Sequence, residues 1–174
     1  MNLKSIFLDR DGVINKETNY LYKINDFEFI DGVFGACRYF QDLGFKIIIV
    51  TNQSGIARGL YSDKDFQKLT KWMCQEFKKN KIEILDVFYC PHLPEALCNC
   101  RKPKPGLLIK AKEKHKINMK NSWFIGDKEI DITAANASGI SNTILVRSGH
   151  QIDESITKAK YLLDSIKDSK KVIF

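Results

Sequence analysis

The chain has 174 residues, and its 28 lysines and arginines against 21 aspartates and glutamates leave a formal net charge of +7. With 44% hydrophobic and 28% charged residues it can bury a sizeable core, which excludes disordered and fibrous classes, and its length suits one domain over residues 1–174. The longest apolar run, Ile47 to Val50 with Phe45 just before, falls far short of the roughly 18 residues of a membrane span, and the start lacks a signal peptide, so a cytoplasmic protein with no membrane partner is expected.

Apolar strand-like runs alternate with amphipathic helical patterns, the signature of a three-layer α/β fold with a parallel sheet between helices. Ser5 to Leu8 reads as the first strand and runs into Asp9. A helix from about Gly32 to Leu43 follows, with Val33, Phe34, Cys37 and Phe40 facing inward and Gly44 as its stop. Lys46 to Val50 is an Ile-rich strand suited to burial on both faces. Ser62 and Asp65 resemble a capping box opening a helix with the stripe Phe66, Leu69, Met73 and Phe77. Ile84 to Tyr89 is the third strand, and Pro105 is expected as the first residue of a helix through Lys114. Ser122 to Ile125 then forms a strand, Glu129 to Ser138 a small-residue helix, and Thr143 to Val146 another strand. Tyr161 to Leu163 suggests a short edge strand before a final helical turn whose basic end, Lys170-Lys171, is expected to fray. No repeat, interdomain linker or large inserted cap interrupts this order.

The basic balance raises the possibility of a nucleic-acid partner. Its excess lysines, such as Lys78, Lys79, Lys110 and Lys112, are nevertheless scattered and lack an aromatic-interleaved stripe, so a solvated face and no nucleic acid are expected. Of the five cysteines, Cys90, Cys98 and Cys100 share a short stretch with His92. Three thiolates and an imidazole at that paired spacing suit a closed tetrahedral Zn²⁺ site with a structural role. Cys37 and Cys74 are expected as buried thiols in helices.

Ligands of open α/β sheets gather outside the carboxyl ends of the strands. Here Asp9 and Asp11, then Thr51-Asn52-Gln53, then Asp127 with Asp131 arrive at that edge. Taken alone, Asp11-Gly12 could be a turn, Thr51 a strand-end hydroxyl and Lys102 a surface charge. Together the carboxylates form a hard-oxygen cluster that repels itself unless a cation such as Mg²⁺ sits among them. A carboxylate attacking a phosphoryl group also needs donors and positive charge nearby, which Thr51, Lys102 and Arg101 can supply.

Asp9-Arg10-Asp11-Gly12, Thr51-Asn52-Gln53, Lys102-Pro103 and Gly126-Asp127-Lys128 with Asp131 resemble, in order, the motifs of the haloacid dehalogenase superfamily of phosphotransferases. Asp26 to Gly32, Thr51 to Gly59, Cys90-Pro91-His92 and Cys98 to Pro103 resemble its heptose bisphosphate phosphatases in particular. The resemblance extends from Phe7 to about Gly149. It implies that Asp9 is a nucleophile forming an aspartyl-phosphate and that Asp11 is the acid and base. It implies Mg²⁺ on Asp9, the Asp11 carbonyl and Asp127, with Asp131 orienting the cluster. Thr51 and Lys102 would then hold the transferring phosphoryl group. Glu17, Thr18, Asn19, Tyr20, Asn52, Gln53, Ser54, Arg101 and Lys128 would touch the substrate, a small anionic sugar phosphate. The implied reaction removes one phosphate, at C7, in nucleotide-heptose biosynthesis feeding lipopolysaccharide, and the expected state is a monomer. Val13, where many members carry Thr, and Ala135, where Gly is common, replace no group that the chemistry needs. Histidinol-phosphate phosphatases have a similar Cys/His loop, but Ser54 to Gly59 resembles the heptose enzymes instead. A polynucleotide 3′-phosphatase would share the aspartate chemistry, and a non-catalytic zinc-binding scaffold would share the Cys/His loop. The first lacks an evident nucleic-acid surface here, and the joint presence of Asp9, Asp11, Thr51, Lys102 and Asp127 argues against the second.

Overall fold

A computed structural model describes residues 3–174. Its strands are β1 (Ser5–Leu8), β2 (Lys46–Asn52), β3 (Ile84–Cys90), β4 (Trp123–Gly126), β5 (Asn142–Val146) and β6 (Tyr161–Leu163). They form one six-stranded sheet in the order β3-β2-β1-β4-β5-β6, with every neighbouring pair parallel. The helices are α1 (Val33–Asp42), α2 (Asp63–Lys79), α3 (Gly106–His115) and α4 (Glu129–Ala137).

A parallel strand buried on both faces sends alternate side chains into two cores. Ile6 and Leu8 of β1 and Ile47 and Ile49 of β2 join one core with Val33, Cys37 and Phe40 of α1 and Leu69, Met73 and Phe77 of α2. Phe7, Ile48, Val50 and Phe124 face the other way, onto Leu107, Leu108 and Ala111 of α3 and Ala134 and Ala135 of α4. The expected three-layer fold is therefore present, without a large cap among the described residues. Helix α2 has the anticipated cap: Ser62 Oγ accepts from the Asp65 N–H at 3.1 Å, and Asp65 Oδ2 accepts from the Ser62 N–H at 2.8 Å.

Several boundaries differ from the sequence expectation for local reasons. Gly32 has φ 80°, a left-handed conformation outside any α-helix, so α1 starts at Val33. Pro105 is the residue before α3 rather than its first turn. Strand β2 continues through Thr51 and Asn52 because both pair with β3, which sets these residues rigidly at the sheet edge. The C-terminal segment, expected to fray, is docked: Ile166–Lys171 forms a 3-10 helix, Ile166 and Ile173 are fully buried, and Tyr39 donates a 2.9 Å bond to the Ile173 carbonyl. Two isoleucines spaced to meet α1 outweigh the repulsion of the neighbouring lysines. Cys37 is buried as expected, whereas Cys74 is only half-buried. Among the described residues no helix is long and apolar enough to cross a membrane.

Phe124 lies at the centre of the second core, beside the strand end that carries Asp127, and is fully buried. Truncation to Ala removes the ring and leaves a cavity, so Phe124→Ala is expected to cost about 3–5 kcal/mol of unfolding free energy. Urea denaturation followed by circular dichroism measures it, and a loss below about 1 kcal/mol would contradict this packing.

Candidate active site

Strands β1 and β4 are hydrogen-bonded neighbours, and the Asp9 N–H continues that ladder by donating to the Ile125 carbonyl at 3.0 Å. Asp9 and Asp127, each just beyond its strand, are therefore delivered side by side. One oxygen each from Asp9, Asp127 and Asp131 lies within 4.8 Å of the others, and all three residues are buried. The approach depends on small neighbours. Gly12, at φ 83°, and Gly149 both lie where a Cβ would collide with the Asp127 carboxylate. Asp131 also holds the turn between β4 and α4: its Oδ2 accepts from the N–H groups of Asp127 at 3.2 Å and Lys128 at 3.1 Å.

The charge balance of this cluster is set by Lys102. Its Nζ lies 2.7 Å from Asp131 Oδ1 and 3.1 Å from Asp9 Oδ1, and it donates to the Val50 carbonyl at 2.8 Å. Burial alone would lower the pKa of this ammonium, but Asp131 and Asp9 more than offset it, so Lys102 stays charged. One cation does not neutralise three carboxylates. Burial, followed by the charges of Asp131 and Asp11, raises the Asp9 pKa to about 6 against the pull of Lys102. Burial and Asp9 likewise raise Asp127, against hydrogen bonds from His150.

His150 fixes which Asp127 oxygen is free. Its N–H and Nδ1 both meet Asp127 Oδ2, at 3.0 and 2.6 Å, while the buried Oδ1 has no hydrogen-bond partner among the described residues. An orphaned buried carboxylate oxygen beside two other carboxylates is the donor set a hard divalent cation such as Mg²⁺ takes, so these residues fit that ion.

The Asp11 side chain is turned out of the cluster. It receives Arg10 Nε at 3.1 Å, Arg10 Nη2 at 2.9 Å, Asn15 Nδ2 at 3.0 Å and Gln53 Nε2 at 3.0 Å. Burial would raise its pKa, but the Arg10 guanidinium and these hydrogen bonds prevail and hold it below the usual carboxylate range. Gln53 also donates to Thr51 Oγ1 at 2.9 Å and accepts from the Tyr61 hydroxyl at 2.5 Å. Thr51 Oγ1 therefore accepts from Gln53 and keeps its own proton for another acceptor.

These groups open on a cavity of about 230 Å³ lined by Asp9, Asp11, Thr51, Lys102 and Asp131. Of the residues expected on the substrate, Glu17, Asn19, Tyr20, Asn52, Gln53, Ser54, Arg101 and Lys128 also line it. Thr18 does not; it is exposed outside the lining. The side chains of Asn52 and Gln53 are committed to the protein rather than free for a ligand. The amide of Asn52 clamps the Lys102 backbone in both directions, donating to its carbonyl and accepting from its N–H, each at 3.1 Å. Arg58, Tyr61, Ile130 and His150 complete the wall, and none of them is singled out by sequence reasoning. Arg58 lies within a recognisable motif; His150 sits in a loop with no local signature.

The Cys90, His92, Cys98 and Cys100 donors form a separate cluster within 4.8 Å. Cys90 Sγ is 3.7 Å from Cys98 Sγ and 3.2 Å from Cys100 Sγ, and His92 Nδ1 is 3.2 Å from Cys100 Sγ. Tetrahedral zinc with bonds near 2.3 Å separates its sulfurs by about 3.8 Å, so this soft donor set fits Zn²⁺. Arg101 Nη1 and Lys104 Nζ tie the loop to itself through the carbonyls of His92 and Cys98, at 3.2 and 2.8 Å.

The chain is 46% identical to the D-glycero-alpha-D-manno-heptose-1,7-bisphosphate 7-phosphatase of Photorhabdus laumondii, over 90% of each protein. It is 52% identical to the enzyme of that name from Campylobacter jejuni, over 84% of each. With the D-glycero-beta-D-manno-heptose-1,7-bisphosphate 7-phosphatase of Escherichia coli K12 it shares 41% identity, over 96% of this chain and 92% of the relative. A family model described as "HAD-hyrolase-like" matches residues 99–169. Among solved structures, D,D-heptose 1,7-bisphosphate phosphatase from B. bronchiseptica, complexed with magnesium and phosphate, superposes with a TM-score of 0.85 at 25% identity over 97% of each chain. Extended similarity at this level, on a fold that gathers the motif residues at one sheet edge, means that the chain belongs to the heptose-1,7-bisphosphate 7-phosphatases of the haloacid dehalogenase-like hydrolases.

Proposed function

We propose that this phosphatase removes the C7 phosphate of D-glycero-D-manno-heptose 1,7-bisphosphate through an aspartyl-phosphate on Asp9, as a monomer acting in nucleotide-heptose biosynthesis. The observation that carries the reading is the buried convergence of Asp9, Asp127 and Asp131 around Lys102. Asp9 Oδ1 is occupied by the Arg10 N–H at 2.7 Å and by Lys102, which leaves Oδ2 to attack phosphorus. As the Oδ2–P bond forms, the bond from phosphorus to the C7 oxygen breaks, and Asp11 gives that oxygen a proton. Asp11, now a carboxylate, takes a proton from a water that attacks the aspartyl-phosphate, releasing phosphate and restoring Asp9. Arg10 favours the ionised Asp11 that this second step requires; the charge of an incoming phosphate raises Asp11 towards the protonated form that the first step requires. Thr51, with its proton free, binds one transferring oxygen, Lys102 turns to another the N–H that it gives Asp9 as Asp9 attacks, and Arg101 and Lys128 hold the rest of the substrate. Mg²⁺ held by Asp9, Asp127 and the Asp11 carbonyl would supply positive charge against which a carboxylate can approach a phosphoryl dianion.

Phosphate release in the presence of Mg²⁺ from both anomers of the heptose bisphosphate, and from histidinol phosphate, tests the substrate. Turnover is expected on the bisphosphate, and Asp9→Asn should lower it by at least about a thousandfold with the fold intact. Preference for histidinol phosphate would overturn the substrate, and normal release by Asp9→Asn would remove Asp9 as nucleophile.

Metal binding should also register in stability. A carboxyl whose folded pKa lies above its unfolded value contributes stability at low pH that is lost as pH rises through the folded value, here about 6 for Asp9. Mg²⁺ binds the carboxylate form, so it is expected to raise the thermal midpoint clearly near pH 8 and little near about pH 5. An equal shift at both pH values would show that Asp9 ionisation is not linked to the ion.

The Cys/His loop is assigned a structural Zn²⁺. Its last ligand, Cys100, directly precedes Arg101 and Lys102, so ordering the loop orders two phosphate-binding cations. Cys98→Ser is expected to lose zinc, measured by elemental analysis, and to raise KM and lower kcat together. A zinc-free variant with unchanged kinetics would refute the assignment.

A further inference from the structure

The cationic side chains around the cavity differ in what they have left to offer. Lys102 is committed to Asp9 and Asp131, and Arg101 gives one guanidinium nitrogen to the His92 carbonyl. Arg58 meets no carboxylate among the described residues; its guanidinium lies 5.8 Å from the centroid of the Tyr20 ring at the cavity wall.

Both members of this pair are held by well-fixed backbone. Arg58 rides on a tightly wound loop in which its own N–H bonds the Ser54 carbonyl at 3.0 Å and the Leu60 N–H bonds the Gly55 carbonyl at 3.0 Å. The Ala57 N–H ties the same loop to the Pro91 carbonyl, beside the Cys/His cluster, at 3.3 Å. Gly55 packs so closely on the Tyr61 ring that a Cβ there would overlap it. Opposite, Asn19 and Tyr20 are consecutive residues with φ 50° and 55°, a left-handed conformation that is unfavourable for an aromatic residue. Such strain persists where the surrounding structure enforces it and concentrates at ligand-binding positions. Two independently built loops thus converge to set an unpaired guanidinium against an aromatic face.

We propose that Arg58, braced by Tyr20, is the specificity-determining residue that recognises the second phosphate of the sugar bisphosphate, the one that is not cleaved. This deepens the proposed function and rests on it. A guanidinium lying over a ring at cation–π distance spends none of its N–H donors on it, and their fork matches two oxygens of a phosphate dianion. The reacting phosphate is served by Lys102 and Thr51; a second dianion needs a cation that the catalytic carboxylates have not claimed.

The test compares kcat/KM for the heptose 1,7-bisphosphate with that for the heptose 7-phosphate, which carries the reacting group alone. In Arg58→Gln the ratio of the two is expected to fall at least tenfold, and Arg58→Lys should recover part of it, since charge returns without the fork. A ratio that falls less than tenfold in Arg58→Gln, because both substrates suffer alike or neither does, overturns the role of Arg58. Wild-type enzyme that does not cleave the bisphosphate overturns the substrate reading as well, and that outcome appears before any variant is compared.

Discussion

Like charges held together out of water are the constraint on which this structure turns. Asp9, Asp127 and Asp131 present oxygens within 4.8 Å of one another in a buried pocket, where Coulomb repulsion is weakly screened. Lys102 answers part of that repulsion, bridging Asp9 and Asp131. Asp127 is left with a buried Oδ1 that nothing among the described residues satisfies. The same imbalance that makes the pocket costly without a divalent ion makes its donor set fit one, and a single shared lysine leaves Asp9 only partly neutralised.

The fold supplies the precision. Parallel pairing of β1 with β4 puts Asp9 beside Asp127, and pairing of β2 with β3 carries Thr51 and Asn52 out as strand rather than loop. Asn52 then joins that rigid edge to the Lys102 backbone through two hydrogen bonds. Lys102 is thereby fixed from three directions: by β2 through Asn52, by its own ammonium on the Val50 carbonyl, and by the Cys/His loop immediately before it. A Cys/His cluster immediately before Lys102 is a compact way to hold a buried lysine on a segment that forms no regular secondary structure.

The sheet, its helices and the carboxylate cluster are legible in the sequence because each rests on a local signal: alternating apolar runs, glycine stops, a capping box, and aspartates at strand ends. The Cys/His site is legible for the same reason. What stays hidden depends on contacts between distant segments. Arg10 stands between two aspartates, yet nothing local says that its guanidinium folds back on Asp11 and onto the Leu21 carbonyl at 3.0 Å. His150 reaches Asp127 across 23 positions, and Ile173 docks against a helix that begins far upstream. Gln53 and Asn52 are recognisable as residues of the site, but a motif shows their presence and not whether their amides face a ligand or the protein.

The cationic groups divide the work accordingly. Arg10, fully buried, serves Asp11; Lys102, fully buried, serves the carboxylate cluster. Neither can leave its partner without stranding a buried charge, so neither can travel with the substrate. The cations at the cavity wall, Arg58, Arg101 and Lys128, are not tied to buried acids in this way, and they stand on loops from different parts of the sheet edge. Under the proposed function, the net charge of +7 would draw an anionic substrate towards a pocket whose innermost acidic groups a divalent ion would offset. A substitution at the wall should alter which phosphate ester is chosen, whereas one in the interior should alter whether any is cleaved.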